Sequence, residues 1–321
     1  MPLETNSQPS ITCDKKPSPA KWQSRLRGLF PGSAGLKSLQ FVPAYIIGGG
    51  LIFVVLWAVA EARLPAEAPR LWGLLLAKGI FAIAAIAPAL LISRLEERSF
   101  GAYGLPFRSA FGKRFWIGAA WGLLSLTMVL GILRLAGAIS FAGIALHGVR
   151  IGKFGLFWGL FFLLVAFGEE FAFRGYLLFA FSQAFGFWPT ALLSSLIFGY
   201  LHHPNPGENW LGALGAAAIG LFFCFTLRRT GNLWFAVGMH WAWDWGETFL
   251  YSVPNSGFVF PGHLLKTSLH GATWLTGGSV GPEASALFFV LLAALSILLD
   301  RLYPESKYGV FDASHLSTSI L

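Results

Sequence analysis

Two adjacent acids, Glu169 and Glu170, stand in the run Phe167-Gly-Glu-Glu-Phe-Ala-Phe-Arg-Gly-Tyr176, with Arg174 four residues after the second. On an α-helix, residues at i and i+4 share a face while neighbours point about 100° apart. Glu170 can therefore pair with Arg174, and Glu169 is aimed elsewhere, toward a cavity or another helix. Two further polar clusters follow, Phe198-Gly-Tyr-Leu-His202-His203-Pro204 and Met239-His240-Trp-Ala-Trp-Asp244. His240 and Asp244 are again i and i+4, so the carboxylate can fix one imidazole nitrogen, or the pair can address one ligand together. His203 precedes a proline, which places His202 on the last turn of its helix. Acids and histidines in apolar surroundings suit a proton relay, and two histidines with carboxylates can satisfy a catalytic zinc. The plainer alternative for Glu169, Glu170 and Arg174 is a buried ion cluster that fixes helix packing.

The elements that must position these residues are membrane helices. From Phe154 to Leu227 the only other formal charge is Glu208. Over the whole chain 55% of residues are hydrophobic and 12% charged, about half the charged share of soluble domains. Apolar stretches predict helices near 41–60, 71–92, 115–133, 154–180, 189–203, 210–227, 233–251 and 284–299, a polytopic all-α transmembrane bundle of about eight spans with its site inside the membrane. The division expected is a basic, disordered arm over 1–40, a transmembrane unit over 41–300 with its motif core at about 150–250, and a short tail over 301–321. The first apolar run begins late and is followed by Glu61-Ala-Arg63 rather than a small-residue cleavage site, so it reads as a retained helix.

Basic residues collect in the leader, at Arg94, Arg98, Arg108, Lys113 and Arg114, and at Arg228 and Arg229. The positive-inside rule then places both termini in the cytoplasm, with 61–70 and 252–283 facing outward and Arg134, Arg150 and Lys153 on the disfavoured side. The +8 net charge is explained by topology, since no basic stripe with interleaved aromatics marks a nucleic-acid surface. Cys13 and Cys224 imply no disulfide framework. If the chain reverses near Gly186–Pro189, Glu169 lies 17 residues before Gly186 and His202 lies 16 after it, arms of similar length at about 1.5 Å per residue.

At these residues the sequence resembles the CAAX protease and bacteriocin-processing family of intramembrane proteases, whose hallmarks are Glu-Glu-x-x-x-Arg, Phe-x-x-x-His and His-x-x-x-Asn or Asp. All three stand in order, as Glu169-Glu170-Phe-Ala-Phe-Arg174, Phe198-Gly-Tyr-Leu-His202 and His240-Trp-Ala-Trp-Asp244. The resemblance implies peptide-bond hydrolysis within the membrane, with Glu169 as general base, His202 sharing in water activation, and His240 with residue 244 stabilising the oxyanion. Glu170 and Arg174 are the supporting pair and Phe198 the motif aromatic. A dry site strengthens each hydrogen bond to developing charge. Many relatives carry Asn where Asp244 stands, and an ionised Asp cannot donate to an oxyanion. Three roles stay open for it: protonated by burial, orienting His240, or joining Glu169, His202 and His240 as a zinc ligand. The family includes glutamate-dependent members described without a catalytic metal, and no His-Glu-x-x-His spacing is present, so no cofactor is the expectation and zinc the alternative.

The implied partners are the bilayer and a membrane protein or lipidated peptide; the implied location is a bacterial plasma membrane. Eukaryotic relatives act on prenylated CAAX proteins and bacterial ones are tied to peptide maturation and immunity. Two rivals belong to other classes: an ion-coupled transporter, against which the absence of an internal repeat counts, and a non-catalytic scaffold or immunity protein. Lys78 reads as a snorkelling residue near a helix end rather than a substrate ligand. Gly212, Gly215 and Gly220 read as close-packing positions, Trp241 and Trp245 as core or lipid contacts, and His203 as a packing histidine. Thr276 to Glu283 reads as a turn and helix cap, and His147, His263, His270 and His315 as solvated or interfacial.

Overall fold

The computed structural model describes residues 37–63 and 70–308. Most of the leader, part of the 61–70 loop and the tail beyond Tyr308, with His315, lie outside the described residues. Helix α1 (Val42–Arg63) is apolar all round, as a lipid-facing helix must be, and packs mainly on α2 (Arg70–Leu95). Helix α3 (Lys113–Leu135) leads to a strand, β1 (Ile139–Ile144), and then to α4 (Val149–Arg174), α5 (Tyr176–Phe185), α6 (Phe187–His202) and α7 (Trp210–Thr230). Helix α8 (Trp234–Trp245) continues as a π-turn to Tyr251, and after a long connection holding β2 (Leu265–Leu269) and one short turn of helix, α9 (Thr273–Thr276), α10 (Ala286–Leu302) closes the bundle.

Among the described residues, five helical stretches are long and apolar enough to cross a membrane: 39–63, 71–95, 113–135, 149–185 and 210–230. The other three predicted spans are helical but shorter, at 16 residues for α6, 12 for α8 before its π-turn and 17 for α10. The fourth predicted span begins earlier than its apolar run and is broken at Gly175, which starts α5 in a new direction. Arg134, Arg150 and Lys153, expected in an outward loop, lie instead in the last turn of α3 and the first turns of α4, where long basic side chains reach the interface. The strict all-α expectation also gives way: β1 and β2 pair antiparallel, Ile139 opposite Leu269 and Phe141 opposite Thr267, tying together two connections that read as plain loops.

The helices that matter for the site touch closely. Gly118 of α3 and Gly238 of α8 sit where a Cβ would run into the facing backbone, so these helices pack main chain on main chain. Trp241 and Trp245 donate their indole N–H to the carbonyls of Gly159 (2.8 Å) and Gly155 (3.1 Å), which fixes α8 against α4. The chain reverses at Gly186, whose φ of +83° suits glycine, and α6 runs back along α7.

Candidate active site

Three tyrosine contacts align the segments that carry Lys78 and Glu169. Tyr45 donates to the carbonyl of Ala85 (2.9 Å), Tyr176 donates to that of Ser38 (2.7 Å), and the Tyr45 and Tyr176 rings lie 4.9 Å apart. Lys78 lies seven residues before Ala85 and Glu169 seven before Tyr176, so the two are equally far along the chain from these contacts. They meet. Lys78 Nζ lies 2.9 Å from Glu169 Oε1. The approach depends on Gly168, where a Cβ would press on the Phe81 ring and the Ala82 backbone of α2.

On the opposite face of α4, Glu170 and Arg174 are fully buried. Glu170 Oε1 accepts from Arg174 (3.3 Å) and from His240 Nδ1 (2.9 Å). The guanidinium lies 4.2 Å from the centre of the Phe198 ring, and Gly220 leaves it room, since any Cβ there would overlap it. A charge on hydrocarbon helices is kept in place here by an ion pair on one side and aromatic faces on the other.

His240 reaches a second carboxylate through Nε2, 3.3 Å from Asp244 Oδ2. A carboxylate accepts, so two such neighbours engage both ring nitrogens as donors. His202 is held differently: Nδ1 donates to the Phe198 carbonyl at 2.7 Å, which leaves Nε2 a lone pair. Glu169, His202, His240, Asp244 and Phe198 all line one cavity of about 510 Å³, together with Lys78 and the ends of α6 and α8. Its remaining wall is largely phenylalanine, including Phe81, Phe161 and Phe260.

Lys78 is the correction to the sequence reading. Treated there as a snorkelling residue, it is the counter-ion of Glu169, and electroneutrality was the signal: a carboxylate inside the bilayer needs a cation, and Lys78 is the one set well inside another span. Asn255, Ser256 and Glu283 also reach the cavity region from the long connection, where spacing alone gives no hint. Glu283 is buried just ahead of α10, and burial pushes its carboxyl up to about 8. Pro282 and Glu283 form a 3-10 turn, with Ser285 as the actual cap of α10. Of the close-packing glycines, Gly215 faces the Glu283 carbonyl and Gly212 faces Glu208 and Val280. His203 packs against Trp210, with ring centres 4.0 Å apart, and is not part of the cavity wall.

Residues 151–246, which carry all three motifs, match the family model described as type II CAAX prenyl endopeptidase Rce1-like. Over these residues the chain is similar to the CAAX protease family, as the three motifs implied. Neither a curated protein nor a solved structure matches it. This similarity and the five apolar stretches together support an integral membrane protein that resembles a protease family.

Proposed function

We propose that this protein is an intramembrane endopeptidase that hydrolyses a peptide bond of a membrane-associated protein or lipidated peptide, using a water activated by Glu169. The observation that carries this reading is the meeting of Glu169, His202, His240 and Asp244, from α4, α6 and α8, in one cavity within a segment that matches an endopeptidase family.

Lys78 keeps Glu169 in the carboxylate form that can accept a proton, and His202 presents the Nε2 lone pair to the same water. The water gives its proton to Glu169 while its oxygen bonds to the carbonyl carbon, and the C=O π pair moves onto oxygen. The C–N bond then breaks as Glu169 returns the proton to the leaving nitrogen. Asp244 acts by orienting His240, whose imidazole it holds from one side while Glu170 holds it from the other.

The reading is metal-free. What supports it over the zinc alternative is that each His240 nitrogen faces a carboxylate, an arrangement suited to orienting the ring. We place the protease unit at 41–300, in a bacterial plasma membrane with both termini cytoplasmic, on the strength of the basic connections at 94–114 and 228–229. The test is a comparison of protein termini in membranes holding wild-type or Glu169→Gln protein. New termini confined to the wild type are expected; identical sets would refute hydrolysis.

A further inference from the structure

Catalysis of acyl transfer needs donors aimed at the oxygen that becomes negative. His240 has both nitrogens on carboxylates, Asp244 offers an acceptor, and His202 spends its Nδ1 proton on the Phe198 carbonyl. Arg174 is sealed behind Glu170 and does not line the cavity. Among the described residues, Lys78 is the one lysine or arginine in the cavity wall. Its ammonium has three N–H groups, of which Glu169 takes one, and its side chain, 36% exposed, is part of the cavity wall.

We propose that Lys78 is a catalytic residue of this chain: its ammonium holds Glu169 beside the water and donates a second N–H to the carbonyl oxygen as that oxygen becomes an oxyanion. The assignment rests on the proteolytic reading above and supplies the donor that a carboxylate at 244 cannot. Two acceptors about 3 Å from one ammonium lie about 5 Å from each other, which suits a carbonyl whose carbon is attacked by a water resting on Glu169. Charge balances throughout. At rest Lys78 neutralises Glu169; when Glu169 takes the water's proton, the negative charge appears on the substrate oxygen and the same ammonium neutralises it there. No uncompensated charge forms in an apolar cavity, where it is costly.

The test uses the full chain in lipid nanodiscs and a pool of quenched-fluorescent membrane peptides, with kinetics on whichever peptide the wild type cleaves. Lys78→Met is expected to lower kcat by about 10² to 10³-fold with KM changed little, and Lys78→Arg to restore most of the loss. Wild-type kcat in Lys78→Met, or an equal loss in Lys78→Arg, overturns the assignment while leaving proteolysis standing. Equal cleavage by wild type and Glu169→Gln, or none by either, removes the proteolytic reading and this assignment with it. Should Lys78→Met misfold through its unpaired acid, the double variant Lys78→Met/Glu169→Gln carries no unpaired charge. A peptidyl phosphonate, which mimics the oxyanion, should bind Glu169→Gln at least about tenfold tighter than the double variant. Equal binding overturns the proposal.

Discussion

Glu169 and Glu170 are neighbours in the chain and opposites in circumstance. Glu170 is fully enclosed, shares one oxygen between Arg174 and His240, and sits where no substrate can reach it. Glu169, one step around the helix, faces a cavity of about 510 Å³ and is balanced by a lysine that is itself partly open to that cavity. Both acids are charge-compensated, yet only one compensation can be exchanged for another. The guanidinium is bonded to Glu170 and enclosed by aromatic faces away from the cavity, whereas the ammonium keeps donors on the cavity wall. On the function proposed above, an ion pair builds the scaffold on one face of α4 and serves chemistry on the other, and access separates them rather than residue type.

The comparison can be broken experimentally. Glu169→Gln should give the largest change, a loss of peptide hydrolysis of up to about 10⁴-fold with thermal stability close to wild type, read by kinetics beside a melting curve. Arg174→Met should do the reverse, costing about 3–5 kcal/mol because it strips Glu170 of its principal counter-ion, and should appear first as loss of folded protein in detergent. A large activity loss with full stability in Arg174→Met would erase the distinction.

Glu283 sharpens the picture through pH. Burial raises its carboxyl from about 4.5 to about 8, so the folded chain holds a proton that the unfolded chain releases. This contribution to stability is complete below about pH 4.5, falls as pH rises, and levels off above about 8. Melting temperature should decline over that window, and Glu283→Gln should flatten the decline. The smallest effect is expected from chelators: dialysis against EDTA should leave the cleavage rate unchanged, and a loss restored by zinc would reopen the metal site.

Much of this was legible in the chain because local periodicity decides it. The i, i+4 spacing of Glu170 with Arg174 and of His240 with Asp244 became real contacts, and the apolar runs became helices. Long-range pairing was not legible by the same means. Lys78 and Glu169 are 91 residues apart, and only the missing counter-ion for Glu169 could have pointed to the lysine. The β1–β2 pair was hidden because each strand is short and flanked by loop-like residues. The break at Gly175 was hidden because apolar composition continues unchanged across it, while the backbone turns.

Phe198 deserves a last word for serving two masters with separate atoms. Its ring covers the arginine, which any loss of aromaticity would undo, but its carbonyl fixes the proton on His202, and every residue type supplies a carbonyl. Phe198→Leu should thus loosen the scaffold and leave the histidine's tautomer intact. Setting of the imidazole has been entrusted to the main chain, the part of the polymer that substitution cannot edit.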